Sequence, residues 1–420
     1  LHLSLRRQRQ MCIRDRLSIY PRFNLSFVLF FSKTPPMSIT TSASSVCAKV
    51  PTFHIIGLGA MGSIIAYALQ NKFPSYSIVP ILRSNEKVNT FKKKYDSKFT
   101  LHRQYDSNKI EVSESFDLTT SLDNVKEEHI DNLIITTKTY QSIEALKPIW
   151  SKIDNKTNIV LIQNGFGSFE ALSEAYPHII KENYKVFQGV ISHAVFGSSE
   201  NFNEFYHAGF LDLKIAQING FDKSKKSKIQ SFAEVNEMIK ESQLCSTLKE
   251  INLDVKIMSY QELIVGQIKK FCVNCCINGW TSILNCMNGD FHYDKETTLD
   301  LYEGTVQEIL DVFSVDPNLK AVFDYKNKEN MPEVDLGFAE DSRKLAEWVY
   351  QIGVIDCGGN SSSMRQDVIN KRGTEIDFIN GYVCSLAKKL DLPKSTYKVN
   401  QTAVNLHKLK CEIIKIGGIN

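Results

Sequence analysis

No apolar stretch of the 420-residue sequence approaches the ~20 residues that a membrane-spanning helix needs; runs such as residues 27–31 fall far short. A transmembrane protein is excluded on that ground. A strong charge of one sign is missing too. The formal charge is +3, but six Arg, one Lys and one Asp fall within residues 1–36, which leaves residues 37–420 slightly acidic at −3. Such a body has no electrostatic footprint for nucleic acid or for an anionic membrane. Ten Cys in a chain this long make no disulfide scaffold, and Cys272, Cys275 and Cys276 fall in an apolar, helix-like run where reduced thiols behave as small hydrophobes. The compartment reads as reducing. No second Cys or His pair stands nearby at ligand spacing, so no metal site is expected. Repeats of solenoid period are absent as well.

What is present is ordinary for a globular chain: 43% hydrophobic, 23% charged and 10% aromatic residues. That composition excludes a disordered or fibrous chain, and the length predicts two domains. Residues 1–50 read as a leader. The Arg-rich, nearly acid-free start has the look of a mitochondrial transit peptide, yet it opens on Leu. Within it, Met11-Cys12-Ile13-Arg14-Asp15-Arg16 resembles the translation of a transposon adaptor used to prepare sequencing libraries. Residues up to about Arg16 are therefore set aside, and Met37 is the expected start. Cytoplasm is the expected compartment, with the mitochondrion as the alternative if the basic segment is genuine.

From residue 52 onward, apolar strands alternate with helical stretches. Strands are expected at 52–56, 76–82, 132–137, 158–163, 187–191 and 210–216, with Pro80 marking a weak or edge position. The continuous apolar runs at 132–137 and 158–163 suit a parallel sheet covered on both faces. The lysine-rich segment 220–228 reads as a solvated loop. After residue 260 the text turns helical, at 261–286, 296–313, 342–355, 374–390 and 395–410, with a polar loop or insertion at 316–337. The expected fold is thus α/β: a Rossmann-type dinucleotide-binding domain over 51–258 and an all-helical domain over 259–420.

Gly57-Leu58-Gly59-Ala60-Met61-Gly62 follows the first strand and opens a helix. In that context Gly57 allows the tight turn, Gly59 lets a pyrophosphate approach the backbone, and Gly62 lets helix pack close to strand. The anion then faces free N–H groups and the positive end of the helix dipole. The end of the second strand decides which cofactor. An NAD site usually presents Asp or Glu there for the ribose 2′-hydroxyl. This chain has Leu82-Arg83-Ser84, and a guanidinium forks onto a 2′-phosphate that a carboxylate would repel. Arg83 therefore argues for NADP, unless it is merely an exposed Arg after a strand.

In the first long helix Lys270, Asn274 and Asn278 recur at i, i+4 and i+8, placing one ammonium and two amides on one face among apolar neighbours. Such a stripe either holds another helix or lines a cleft. Ser361-Ser362-Ser363-Met364-Arg365-Gln366-Asp367 follows, where Ser363 and Gln366 fit a capping box. Glu375 comes twelve residues after Ser363 and could pair with Lys270; the plainer alternative is an exposed Glu favouring a helix start. His193 reads as structural, and Trp280 and Trp348 as core.

These residues carry a resemblance. The glycine turn, Arg83, Thr137-Lys138-Thr139-Tyr140-Gln141, Ile162-Gln163-Asn164-Gly165-Phe166-Gly167, 270–278, Asn285-Cys286-Met287-Asn288-Gly289, 361–367 and 374–381 appear in the order of the ketopantoate reductase (2-dehydropantoate 2-reductase) family. The match runs over about residues 53–410. The resemblance implies a helical half like the C-terminal domain of 6-phosphogluconate dehydrogenase. It also implies NADPH-dependent reduction of 2-dehydropantoate to (R)-pantoate in pantothenate and coenzyme A biosynthesis. By the same resemblance Lys270 is the general acid, with Glu375 beside it and near the nicotinamide ribose. Asn274, Asn278, Asn288 and Ser363 hold the substrate. Gly57, Leu58, Gly59, Ala60, Met61, Gly62, Arg83, Lys138, Asn164, Val195 and Glu375 contact NADP. The expected partner is a small 2-oxo acid, with a homodimer as the expected assembly. Two alternatives stay open: a reductase of another branched 2-oxo acid, and an NADP-binding sensor without catalysis. The segments near 220–250 and 316–337 look inserted relative to compact members.

Overall fold

The computed structural model describes residues 49–415 other than 223, 225 and 226. The expected leader, apart from its last two residues, lies outside the described residues, as do three lysines of the 220–228 loop. The described residues from Val50 onward form one compact unit.

An eight-stranded sheet runs in the order β12-β11-β8-β7-β6-β1-β2-β5. Its strands are β1 (Thr52–Ile56), β2 (Ser77–Leu82), β5 (Thr120–Ser121), β6 (Asn132–Ile135), β7 (Asn158–Ile162), β8 (Lys185–Ile191), β11 (Leu213–Asn219) and β12 (Val255–Ile257). All neighbours pair in parallel except β8 and β11. Each central strand feeds two cores. Ile55, Ile134, Val160 and Phe187 face one, while Ile56, Ile135, Leu161 and Val186 face the other. Burial on both faces is why these strands read as unbroken apolar text. Pro80 pairs with Ile55, but the edge strand β5 reaches only Ile81 and Leu82, so Pro80 lies on a flank of β2 that β5 leaves uncovered.

One face is covered by α1 (Ala60–Lys72), α2 (Asn85–Tyr95), and, after β11, α5 (Phe232–Glu241) and α6 (Gln243–Glu250). Between them in the chain come α3 (Ser142–Leu146) and α4 (Ser168–Ala175). The other face receives the 25-residue α7 (Tyr260–Leu284), started by a reciprocal Ser259–Glu262 capping box. Around α7 gather α8 (Lys295–Val315), α9 (Ser342–Tyr350), α10 (Ser363–Ile369), α11 (Asn380–Lys389) and α12 (Lys398–Lys415). Phe166 of the sheet half meets Phe271, Phe313 and Tyr382 of the helical half at ring-centroid distances of 5.1, 5.1 and 5.7 Å.

Several expectations need correction. The strand foreseen at 210–216 is β11, three residues later, and Phe210 is exposed in the turn before it. A second sheet, β4-β3-β10-β9, was not foreseen; it joins β3 (Thr100–Arg103), β4 (Lys109–Val112), β9 (Ala194–Gly197) and β10 (Glu204–Gly209). The helix expected over 374–390 is broken. A single turn at Ile376–Phe378 precedes α11, because the Phe378 carbonyl accepts the Phe166 N–H at 3.0 Å and is lost to the helix. α9 ends at Tyr350 and relaxes into a π-helical turn, Gln351–Asp356. Trp280 is core, but Trp348 is 40% exposed. Among the described residues, no helix is long and apolar enough to cross a membrane.

Candidate active site

Parallel pairing sets the geometry. β1, β2, β6, β7 and β8 point the same way, so their last residues and those that follow gather along one carboxyl edge: the 57–62 turn, Arg83, 136–139, Asn164 and Ile191. Open α/β sheets bind ligands at this edge.

The three glycines of the turn have different reasons. Gly57 has φ +93°, and a Cβ there would strike the backbone of Thr136 and Thr137. A Cβ on Gly62 would strike the Gly57 carbonyl and the Thr136 hydroxyl. A Cβ on Gly59 would meet nothing within 4 Å. The fold therefore demands the outer two and leaves Gly59 open, as a surface approached by a ligand would be. Gly59 is also the N-cap of α1, without a side-chain cap and without acid in the first turn. We expect Gly57→Ala to destabilise the protein by about 3 kcal/mol in chemical denaturation. Gly59→Ala should leave the midpoint unchanged while weakening dinucleotide binding about tenfold in a fluorescence titration.

Arg83 is exposed at the end of β2. Lys87, on the first turn of α2, has its pKa lowered, first by burial and then by the charge of Arg83. Two cations so close would welcome a dianion. Leu58, Ala60, Met61 and Val195 each pack, partly buried, against the core on the α1 face of the sheet, and β9, which carries Val195, lies against α1.

Lys270 reaches back from α7 to this edge. Its ammonium donates to Asn164 Oδ1 at 3.1 Å and to the Ile191 carbonyl. Lys270, Asn164, Asn274, Gln163, Gly165 and Gln267 line one small cavity, and Lys270 as a whole is half-buried. Burial of the ammonium pushes its pKa down from 10.5 to about 8, against the opposing charges of Glu375 and Asp212. The pairing of Glu375 with Lys270 expected from sequence is corrected. Buried Glu375 accepts from the Thr139 N–H and hydroxyl, both at 3.1 Å, and its other oxygen lies 3.4 Å from Lys138 Nζ. Lys138 also bonds Asp367 at 2.8 Å. Thr139 and Asp367 were missed as site residues, although both stand inside segments that the sequence singled out.

The remaining polar groups extend along α7. Asn278 donates to Asn274 at 3.4 Å. Asn288 lies in the turn after the helix, donates to the Cys357 carbonyl at 3.4 Å, and its own buried Oδ1 has no partner among the described residues. Ser363 is exposed, and the cap of α10 is Ser362 rather than Ser363: Ser362 Oγ accepts the Arg365 N–H at 3.1 Å, while Gln366 turns back to Ser361. Cys272, Cys275 and Cys276 are fully buried, with thiols pushed up by that burial. His193 is also buried, held by the Leu253 carbonyl, the Leu211 N–H and His207.

The fold and site define a class: a dinucleotide-type α/β sheet whose carboxyl edge is closed by a helical half that supplies a buried lysine. Residues 53–220 match the family described as ketopantoate reductase PanE/ApbA, and residues 262–410 match its C-terminal part. The chain is 34% identical over 376 residues to the 2-dehydropantoate 2-reductase of Saccharomyces cerevisiae, covering 88% of this chain and 97% of that one. It is likewise 34% identical over 345 residues to a Schizosaccharomyces pombe protein named "Probable 2-dehydropantoate 2-reductase", covering 80% of this chain and 91% of that one. Its fold superposes with a TM-score of 0.65 on D-mandelate dehydrogenase solved with NADH and anilino(oxo)acetate, at 19% identity over 87% of this chain and 99% of the other. The chain belongs to the ketopantoate reductase family.

Proposed function

We propose that this protein reduces 2-dehydropantoate to (R)-pantoate with NADPH. The observation that carries the reading is a buried lysine ammonium, depressed to about 8, at the carboxyl edge of a sheet that also bears the open Gly59 turn. The yeast relative is named for this reaction. The sheet half holds the cofactor and the helical half the substrate, with the division at 258/259.

A nicotinamide dinucleotide bound at the 57–62 turn would supply the hydride. Arg83, with Lys87 beside it, recognises the 2′-phosphate that distinguishes NADP. Lys138, Asn164, Val195 and Glu375 orient the reactive end. Lys270 donates a proton to the ketone oxygen as negative charge develops there, and the same ammonium stabilises that charge beforehand. Asn164 and the Ile191 carbonyl hold the donor in place. Asn274, Asn278, Asn288 and Ser363 bind the carboxylate and hydroxyl groups of the substrate; the unpartnered Asn288 oxygen suits a hydroxyl donor.

The test is a spectrophotometric screen of 2-oxo acids with NADPH and with NADH, using the full chain. Turnover fastest with 2-dehydropantoate and NADPH supports the reading. A clear preference for another branched 2-oxo acid overturns the substrate, and cofactor binding without turnover of any acid indicates a sensor.

A further inference from the structure

A row of charges stands just beyond the carbonyl that receives the Lys270 ammonium. β8 ends at Ile191, opposite Leu213, the first residue of β11. The chain leaves the sheet through Ser192 and comes back through Asp212, whose carbonyl accepts the Ser192 N–H at 2.8 Å. Next on β11 comes Lys214, which faces Val190 across one ladder and Lys256 of β12 across the other. Opposed residues share a face of the sheet. Val190 lines the cavity of Lys270, so Lys214 points toward α7 as well. Its stem passes Gly266, where a Cβ would lie 3.9 Å from Lys214 Cδ, one turn of α7 before Lys270.

Two ammoniums directly opposed, with a third on the neighbouring helix, repel one another. Asp212 answers them: its Oδ2 lies 3.4 Å from Lys214 Nζ and 3.2 Å from Lys256 Nζ. Lys256 has a second carboxylate in Asp254 at 3.2 Å, whereas Asp212 is the acid that Lys214 pairs with among the described residues. Against the desolvation that would raise it, the two ammoniums and Ser192 hold the Asp212 carboxyl below the usual aspartate range. At Lys270 the pair acts with both signs. Asp212 favours the protonated amine and Lys214 opposes it. Held together, the two charges largely cancel; left alone, Lys214 would press on an ammonium that burial already depresses.

We propose that Asp212 is a positioning residue of the reduction: it draws the Lys214 ammonium to itself, its main chain braces the turn that carries the Ile191 acceptor, and Lys270 thereby keeps the proton it must donate. The inference rests on the reductase reading above, and Asp212 acts through Lys270. The other charges around Lys270 have partners of their own. Glu375 is tied to Thr139 and Lys138, and Lys138 also holds Asp367. Lys269, the neighbour on α7, turns to Asp335 at 3.4 Å. Arg365 bonds Asn285 at the far end of the helix. Buried His193 is held below the usual histidine range by desolvation, and so stays neutral.

Asp212→Asn keeps the shape and removes the charge. The alkaline limb of the kcat profile should move about one unit to lower pH. Starting from a limb near 8, that is a loss of about fivefold at about pH 8 and of less than about twofold at about pH 6. Lys214→Met should move the limb about half a unit the other way, and the double variant should bring it back to within about a third of a unit of wild type. A role in folding alone would lower the plateau at every pH and leave the limb in place. Wild-type protein that reduces no 2-oxo acid refutes the reductase reading and this proposal with it. An active wild type whose limb stays put in Asp212→Asn, or moves as far in the double variant as in the single one, overturns the proposal alone. If the Asn variant does not fold, Lys214→Met decides, and a limb that fails to move to higher pH overturns the proposal.

Discussion

Lys270→Ala should lower kcat for 2-dehydropantoate reduction by about 10³-fold, with Kd for NADPH changed less than tenfold. The ammonium meets the sheet edge through Asn164 and Ile191 and contacts none of the turn that would carry the cofactor phosphates, so its loss falls on the chemical step. Kinetics and NADPH fluorescence titration separate the two quantities; a kcat within a factor of a few of wild type removes Lys270 from the role of acid. The pH profile is a second check. Burial lowers the lysine to about 8, and only the protonated form donates. The rate should therefore be level below about pH 8 and fall about tenfold per unit above it, and this limb should vanish in the variant. The linkage has the opposite sign for stability. The folded protein holds this proton less tightly than the unfolded chain, so the penalty is full below about 8 and is relieved as the pH rises toward 10.5. Lys270→Ala should not be less stable than wild type on this account.

Arg83→Asp should weaken NADPH by about 10²–10³-fold and leave NADH within about threefold, measured as Kd and as kcat/KM. The reversal places a carboxylate beside a 2′-phosphate, while a 2′-hydroxyl can donate to that same carboxylate. Lys87 limits the loss, since it still offers a cation near enough to feel the charge of Arg83. Equal weakening of both cofactors would show that Arg83 does not meet the 2′-phosphate.

The glycine turn, the central strands and the α7 stripe were legible because each combines a local rule with burial. Gly57 needs its positive φ, β6 and β7 need apolar residues on both faces, and a helix with Lys270, Asn274 and Asn278 on one face must find polar company. The second sheet was illegible because its pattern is inverted. On β4, Ile110 and Val112 are exposed while Glu111 turns inward to Arg103, Tyr67 and Lys109, whose hydrogen bonds outweigh burial and hold its carboxyl down to about 2. A two-residue alternation read for hydrophobicity assigns that strand its wrong face. The partner of Glu375 was missed for another reason. Lys138 lies 237 positions away in the chain, and spacing along one helix gives no access to such a pair.

The core under α7 holds Ile56, Leu133 and Leu161 from the sheet together with Leu263, Phe271, Phe313 and Val383 from the helices. Neither half owns that interior. A chain cut between them would leave two sticky remnants rather than two smaller proteins, and calorimetry on the intact molecule should record a single melting peak.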